Sequence, residues 1–82
     1  MNDNTIRTIH AVRREFDREA ESFRDEALQV MTQKASERGM KVHPSDVKCL
    51  GEVEPPEKMK DIAGINEVIF YAFEVEAVSE SA

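Results

Sequence analysis

One long helical pattern fills the first half of this chain and constrains its fold more than any other feature. From about Thr5 to Arg38 there is no Pro and no Gly, and apolar or small residues recur at steps of three or four. Gly39 follows as a natural stop. At about 1.5 Å per residue, the pattern predicts a helix about 50 Å long. A compact chain of 82 residues is narrower than that, so we expect the helix to lie along an equally long element or to pack on another copy.

The apolar positions of this pattern fit a heptad, which is the repeat of helices that supercoil around each other. The rings of Phe16 and Phe23 alternate with small side chains, which would let a facing helix approach closely. Further apolar residues beside the stripe are typical of a helix that also packs on a sheet. We predict that the stripe forms an oligomer interface, made of Ile9, Phe16, Ala20, Phe23, Ala27 and Val30.

The second half of the chain has the two-residue period of β-strands. The predicted elements are a helix over about 5–38, a strand over about 40–53, a loop or short helix over about 54–66, a strand over about 67–78 and a polar tail over 79–82. The first strand is expected to be broken at Pro44, which lacks a backbone N–H, and again near Gly51. The second is rich in β-branched and aromatic residues and is the clearest strand in the chain.

These elements predict one α+β domain over residues 1–82, with the long helix packed along an antiparallel ribbon in an αββ arrangement. An isolated two-stranded ribbon is marginally stable in water, and its open edges can pair with another chain. Helix packing and strand pairing therefore both predict a homo-oligomer, most simply a dimer.

Charge and composition narrow the classes of function. The formal net charge of −6 disfavours binding to nucleic acid or to an anionic membrane, because both attract basic surfaces. Cys49 is the only cysteine, so no disulfide can form within the chain. The sequence has no signal-peptide pattern and no apolar run near the ~20 residues that span a bilayer. We expect a cytoplasmic protein with no membrane association.

Cys49, His43 and Asp46 form the one cluster whose residue types suggest chemistry. A Cys–His pair could activate a thiolate, and all three residues can bind a metal. The plainer interpretation is that Cys49 packs as a small apolar residue and that the segment from His43 to Asp46 forms a turn. A thiol- or metal-dependent enzyme centred on Cys49 is one of three hypotheses for function.

Other polar residues suggest sites only weakly. His10 could be a pH-sensitive interface residue, or more simply a partly buried, hydrogen-bonded histidine. Carboxylates that could gather at a cation are Glu15, Glu19 and Glu26 on the helix and Glu74 and Glu76 on the last strand. No Glu-x-x-His motif accompanies them. We favour a solvated face for the helix carboxylates and protection of an exposed sheet surface for Glu74 and Glu76. We predict no cofactor and no bound metal.

Two surfaces could contact a partner. Arg7, Arg14 and Arg18 would share one face of the predicted helix, where guanidinium groups could touch phosphates or carboxylates. Met59 and Ile62 stand among charges in the predicted loop, and loops on rigid scaffolds often carry recognition.

No catalytic or binding motif stands out, and the chain resembles no family that we can name from its residues. The first hypothesis is a non-enzymatic, self-associating protein–protein interaction or assembly module, in which Phe16→Asp should break the assembly. The alternative is a regulator that binds nucleic acid or a small ligand through the arginine-bearing face. Binding to DNA that weakens with salt would support that alternative.

Overall fold

The structure, a computed structural model, describes residues 4–79 of the chain. It is a mixed α+β fold with one α-helix and small antiparallel sheets. The elements are β1 (Thr5–Arg13), α1 (Arg24–Ser36), β2 (Met40–Lys41), β3 (Lys48–Val53), β4 (Val68–Glu76) and β5 (Val78–Ser79). Short 3-10 turns lie between them, at Arg14–Phe16, Ala20–Phe23, Pro44–Asp46, Glu57–Met59 and Ile65–Glu67.

The main sheet has three strands in the order β1-β4-β3, and both pairings are antiparallel. The last long strand of the sequence is therefore the central one. β2 and β5 form a second, two-stranded sheet. Because β5 follows β4 and β2 precedes β3, this small sheet continues the same ribbon beyond its interruption.

One face of the central strand packs against α1. Ile69, Tyr71, Phe73 and Val75 alternate along β4, as the two-residue period of a strand requires, and all are buried. They join a core whose helical members are Ala27, Met31 and Ala35, with Ile6 of β1 and Phe23 beside them. Phe70 and Ala72 lie on the opposite face of β4, and they are buried without belonging to this core cluster.

α1 follows directly from the spacing of its buried residues. Ala27, Met31 and Ala35 recur every four residues, which places them in one stripe along the helix. The small alanines let the helix approach the sheet closely, and Met31 fills the space between them. The helix ends before Gly39, whose φ of 70° is a left-handed conformation that glycine adopts without strain.

The prediction of one helix over about residues 5–38 is wrong for its first half. Thr5–Arg13 is a strand, and the α-helix begins only at Arg24. Residues 5–13 are rich in β-branched side chains, which lose rotamer freedom in a helix and pack well on a sheet. Ile6, Ile9 and Val12 fit a helical step of three, but residues 6, 8, 10 and 12 equally fit a two-residue period. Residues 5–13 form a strand and not a helix because all nine of them pair with β4.

The predicted ribbon is confirmed in outline. The strand expected over 40–53 is found as β2 and β3, and the break expected at Pro44 is a 3-10 turn. The strand expected over 67–78 is found as β4 and β5, and it pairs antiparallel with β3. The prediction missed β1, which adds a third strand on the other side of β4.

Two further expectations concern the chain as a whole. No helix within residues 4–79 is both long enough and apolar enough to cross a membrane. The predicted tail, 79–82, lies outside the described residues except for Ser79, which belongs to β5. A single domain over residues 1–82 stays a prediction.

Candidate functional site

The outer edge of β1 is the most distinctive surface of the molecule. β1 pairs with β4 along one edge, and no other strand of residues 4–79 pairs with its opposite edge. The strand is nine residues long and contains no Pro, no Gly and no bulge. Such an edge presents a row of backbone N–H and C=O groups that can pair with a strand of another chain.

The two faces of β1 differ in what covers them. Ile6 and Thr8 are buried on the face that packs toward α1, and His10 and Val12 continue that row half-buried. The residues on the other face are all exposed. Ile9 is the apolar residue at the centre of that face, and 45% of its surface is exposed. A strand edge with an exposed isoleucine at its midpoint has both the backbone groups and the apolar side chain for a contact.

His10 is anchored within the chain. Its Nε2 lies 3.0 Å from the hydroxyl oxygen of Thr8. Its ring meets Phe73 edge-on at 5.8 Å between centroids and lies 6.3 Å from the ring of Phe23. The interpretation of His10 as a partly buried, hydrogen-bonded histidine is confirmed. These contacts fix the middle of β1 to the core and keep its outer edge in place.

The charged residues of β1 have acidic neighbours. Glu74 is the register partner of Arg7 on one side and of Lys48 on the other. Arg13 is 3.6 Å from the carboxylate of Glu15. An exposed pair such as Arg13 and Glu15 stabilises a fold little.

The opposite edge of the sheet is built differently. In β3 the register shifts between Cys49 and Gly51, so Leu50 has no partner on β4 and forms a bulge. Gly51 has a φ of 75°, which suits glycine at such a position. The 3-10 turn Ala20–Phe23 lies against β3. A bulge is a common protection of a sheet edge.

The segment from Arg14 to Phe23, which we name the strap, connects the two edges across the sheet. It begins where β1 ends and reaches β3 on the other side. Tyr71 of the central strand donates a hydrogen bond of 2.8 Å to a carboxylate oxygen of Asp17. This bond, with some burial, raises the pKa of Tyr71 above its ordinary value. The strap is therefore held at its middle by the strand beneath it.

Arg24 holds the far end of the strap. Its guanidinium donates 2.7 Å and 3.0 Å hydrogen bonds to the two carboxylate oxygens of Glu21. A third bond, of 2.7 Å, reaches the backbone carbonyl of Val47 just before β3. The bonds from Arg24 lower the pKa of Glu21, and a bond from the thiol of Cys49 adds to that effect. The cluster ties the start of α1 to β3, which is a structural role.

The structure distributes the predicted interface residues over several elements. Phe23 and Ala27 are buried in the core, and Ala20 packs beside them. Phe16 and Val30 are 67% and 39% exposed, on a 3-10 turn and on α1 respectively. Ile9 lies on β1. A single heptad stripe is therefore wrong, because its first members do not lie on the helix. A role of these residues in oligomerisation stays a prediction.

The three predicted arginines also lie apart. Arg7 is on β1, and Arg14 begins the strap, where its Nε donates a 3.4 Å hydrogen bond to the carbonyl of Asn66. Arg18 pairs with Glu26 at 2.6 Å and stacks over the ring of Phe23 at 4.0 Å. The expectation that they share a face of one helix is wrong, because Arg7 lies on a strand and Arg14 in a 3-10 turn. A role of these arginines in binding stays a prediction.

The loop between β3 and β4 keeps its predicted apolar side chains at the surface. Met59 and Ile62 are 41% and 53% exposed. Lys60 lies within salt-bridge distance of Glu54 and Glu57, at 3.7 Å and 3.2 Å. The surface around Met59 and Ile62 is therefore a mixed one, and its role as a partner contact stays a prediction.

The turn and the packed cysteine of the plainer interpretation are both found in the structure, and a chemical role of Cys49 stays a hypothesis. His43 and Asp46 flank a turn in which the Asp46 N–H donates a 2.9 Å hydrogen bond to the His43 carbonyl. Cys49 is half-buried and packs against the core. Within residues 4–79, no three His, Cys, Asp or Glu side chains are grouped so that they could hold a metal ion. The carboxylates of Glu15 and Glu26 pair with different arginines instead of gathering.

The open edge of β1 was missed by sequence reasoning because residues 5–13 were assigned to a helix. The signal that could have found it is the content of β-branched residues, which make up five of the nine residues of Thr5–Arg13. Comparison with known proteins adds no assignment: no family model, no curated protein and no solved structure matches this chain significantly.

Proposed function

We propose that this protein is a small, non-enzymatic interaction module that self-associates, most simply as a homodimer, and acts by binding another protein as that assembly. The observation that supports the proposal best is the outer edge of β1, a straight strand with Ile9 half-exposed at its centre. The single cysteine supports a reducing compartment such as the cytoplasm.

The physical reason for association is the unequal treatment of the two sheet edges. β3 is bulged at Leu50, whereas β1 has no bulge and, within residues 4–79, no strand pairs with its outer edge. A chain of 82 residues buries only a modest core, and association is a common way for small domains to gain stability. Pairing at β1 would satisfy backbone groups that otherwise bond to water and would cover Ile9.

Light scattering on a sizing column, over a range of protein concentrations, tests the proposal. We expect the unmodified chain to elute with the mass of a dimer. Ile9→Glu should weaken the association about tenfold or more, because it places a charge at the contact. Circular dichroism should remain unchanged, since residue 9 is exposed on the strand surface.

Ile62→Glu is the matched control, because Ile62 is at least as exposed as Ile9 but lies in the loop between β3 and β4. It should leave the dimer intact. Phe16→Asp, on the strap, should do the same if β1 alone carries the contact. A monomeric mass for the unmodified chain at every concentration would contradict the proposal.

A further inference from the structure

We infer that two copies of this chain pair through β1, antiparallel, about a twofold axis that passes between the two copies of Ile9, perpendicular to the sheet. The inference rests on the proposed self-association and names its contact. It would join the two three-stranded sheets into one sheet of six strands, with both α1 helices on the same face. The argument comes from what each residue of β1 would meet.

The register centred on Ile9 places no charged side chain directly opposite another. Ile9 is the midpoint of Thr5–Arg13, so this register also pairs the full length of the strand. The opposed pairs are Ile9 with its own copy, Thr8 with His10, Arg7 with Ala11, Ile6 with Val12, and Thr5 with Arg13. Apolar residues meet apolar ones on the α1 side, two polar side chains meet, and no charged side chain faces another.

Neighbouring registers on the same faces are worse. Centring the axis on His10 would place Arg7 directly opposite Arg13, and the twofold would repeat that like-charge pair. Like charges directly opposed across strands are destabilising. Centring it on Thr8 would place Arg7 opposite Ile9 and leave the end of the strand, from Val12, unpaired.

Registers shifted by a single residue would break the faces of the sheet. They would set residues of the α1 side, such as the buried Ile6, beside residues of the exposed side, such as Ala11 or Arg13. The helix of the second copy would then lie on the opposite face. The register centred on Ile9 instead continues the core row of Ile6 and Val12 from one copy into the next.

The energetic source of the contact is the backbone. Two nine-residue strands paired in this register would exchange on the order of eight to ten backbone hydrogen bonds. The two exposed Ile9 side chains would cover each other at the centre. Arg7 of one copy and Arg13 of the other would lie on a diagonal of the paired strands and not directly opposite each other.

Disulfide trapping tests the register. In a Cys49→Ser background, which removes the only native thiol, Ile9→Cys should form a covalent dimer under mild oxidation. Directly opposed Cα atoms would be about 4.5–5.5 Å apart, within the range that a disulfide bridges. Arg7→Cys alone and Ala11→Cys alone should not cross-link, because each lies about 13 Å from its own copy across the axis. A mixture of those two variants should cross-link.

The controls separate this inference from the proposed function. A light-scattering dimer with the expected cross-links supports both. A monomer in light scattering overturns both. A dimer that cross-links at Arg7→Cys alone or Ala11→Cys alone, or at no β1 position, overturns the register centred on Ile9 and leaves self-association standing. Circular dichroism of each variant checks that the fold is kept.

Discussion

The two edges of the main sheet show how differently one small fold treats equivalent positions. β1 and β3 flank the same central strand, yet β3 carries a bulge at Leu50, while β1 has no bulge and, within residues 4–79, no strand at its outer edge. Arg24 bonds the carbonyl of Val47 at the start of β3, and no comparable side-chain bond reaches the outer edge of β1 among the hydrogen bonds of the described residues. The difference shows that two local features can protect one edge of a sheet: the extra residue Leu50 in β3 and the hydrogen bond from Arg24 to the carbonyl of Val47.

Both edge strands pair with β4, so a change that disrupts the packing of β4 is expected to have the largest effect on stability. Phe73 is fully buried on β4 and contacts His10 of β1. Phe73→Ala should lower the free energy of unfolding by about 3–5 kcal/mol through lost burial and the cavity left behind. Urea denaturation measures this. Phe16→Ala, at a residue that is 67% exposed, is the control and should change stability by less than about 0.5 kcal/mol.

Removing the bulge would make the two edges alike. Deletion of Leu50 makes the pairs Cys49–Phe73 and Gly51–Ala72 consecutive. All remaining residues of β3 therefore keep the sheet face on which they lie. We expect β3 to straighten and to offer a second open edge. Light scattering should then show masses above a dimer that grow with concentration, because sheets with two open edges can extend. Leu50→Ala keeps the bulge and should keep the mass of the unmodified chain; equal masses for both variants would show that the bulge does not close this edge.

The smallest expected effect is on the hydrogen bond between Tyr71 and Asp17 of the strap, and the titration of Tyr71 reports it. Tyr71 is the only tyrosine and the chain has no tryptophan, so tyrosinate absorbance reports Tyr71 alone. The bond to Asp17 raises the pKa of Tyr71 by favouring its neutral form. Its contribution to stability is therefore present below the ordinary tyrosine pKa near 10 and is lost as pH rises through the folded-state value. Asp17→Asn should shift the absorbance titration to lower pH.

Glu52→Gln is the matched control for that titration. Glu52 is the register partner of Tyr71 on β3, and its charge contributes less to the raised pKa than the Asp17 bond does. It should move the titration by less than Asp17→Asn. An equal or larger shift would show that the strap is not held at Tyr71.

The ribbon could be predicted from the sequence because its signals are local. Pro44 removes a backbone donor and marks the break between β2 and β3, and the β-branched and aromatic run after Glu67 has no helical alternative. Gly39, the signal that stops the helix after Ser36, is equally local. These features depend on residues close to one another in the chain.

The first half could not be predicted by the same means. Ile6, Ile9 and Val12 fit both periods, and without Pro or Gly nothing in the segment marks where a strand would end. The choice is made by β4, whose partner residues are about sixty positions away along the chain. The candidate site follows from that choice, since an open edge exists only once residues 5–13 are a strand. Ile9 was named as a contact residue for a reason that does not hold, namely its place in a heptad.

The order of strands in the main sheet has a consequence for how the chain is made. β4 lies at the centre of the sheet but comes last among its strands in the sequence, and Ala77 bonds the carbonyl of Asn4 at 2.9 Å. Neither β1 nor β3 has its partner in the main sheet until β4 has left the ribosome. Contacts between such distant positions are slow to form. Throughout synthesis β1 therefore remains an unpaired, β-prone segment, and chains that emerge close together on one message would meet with that segment exposed.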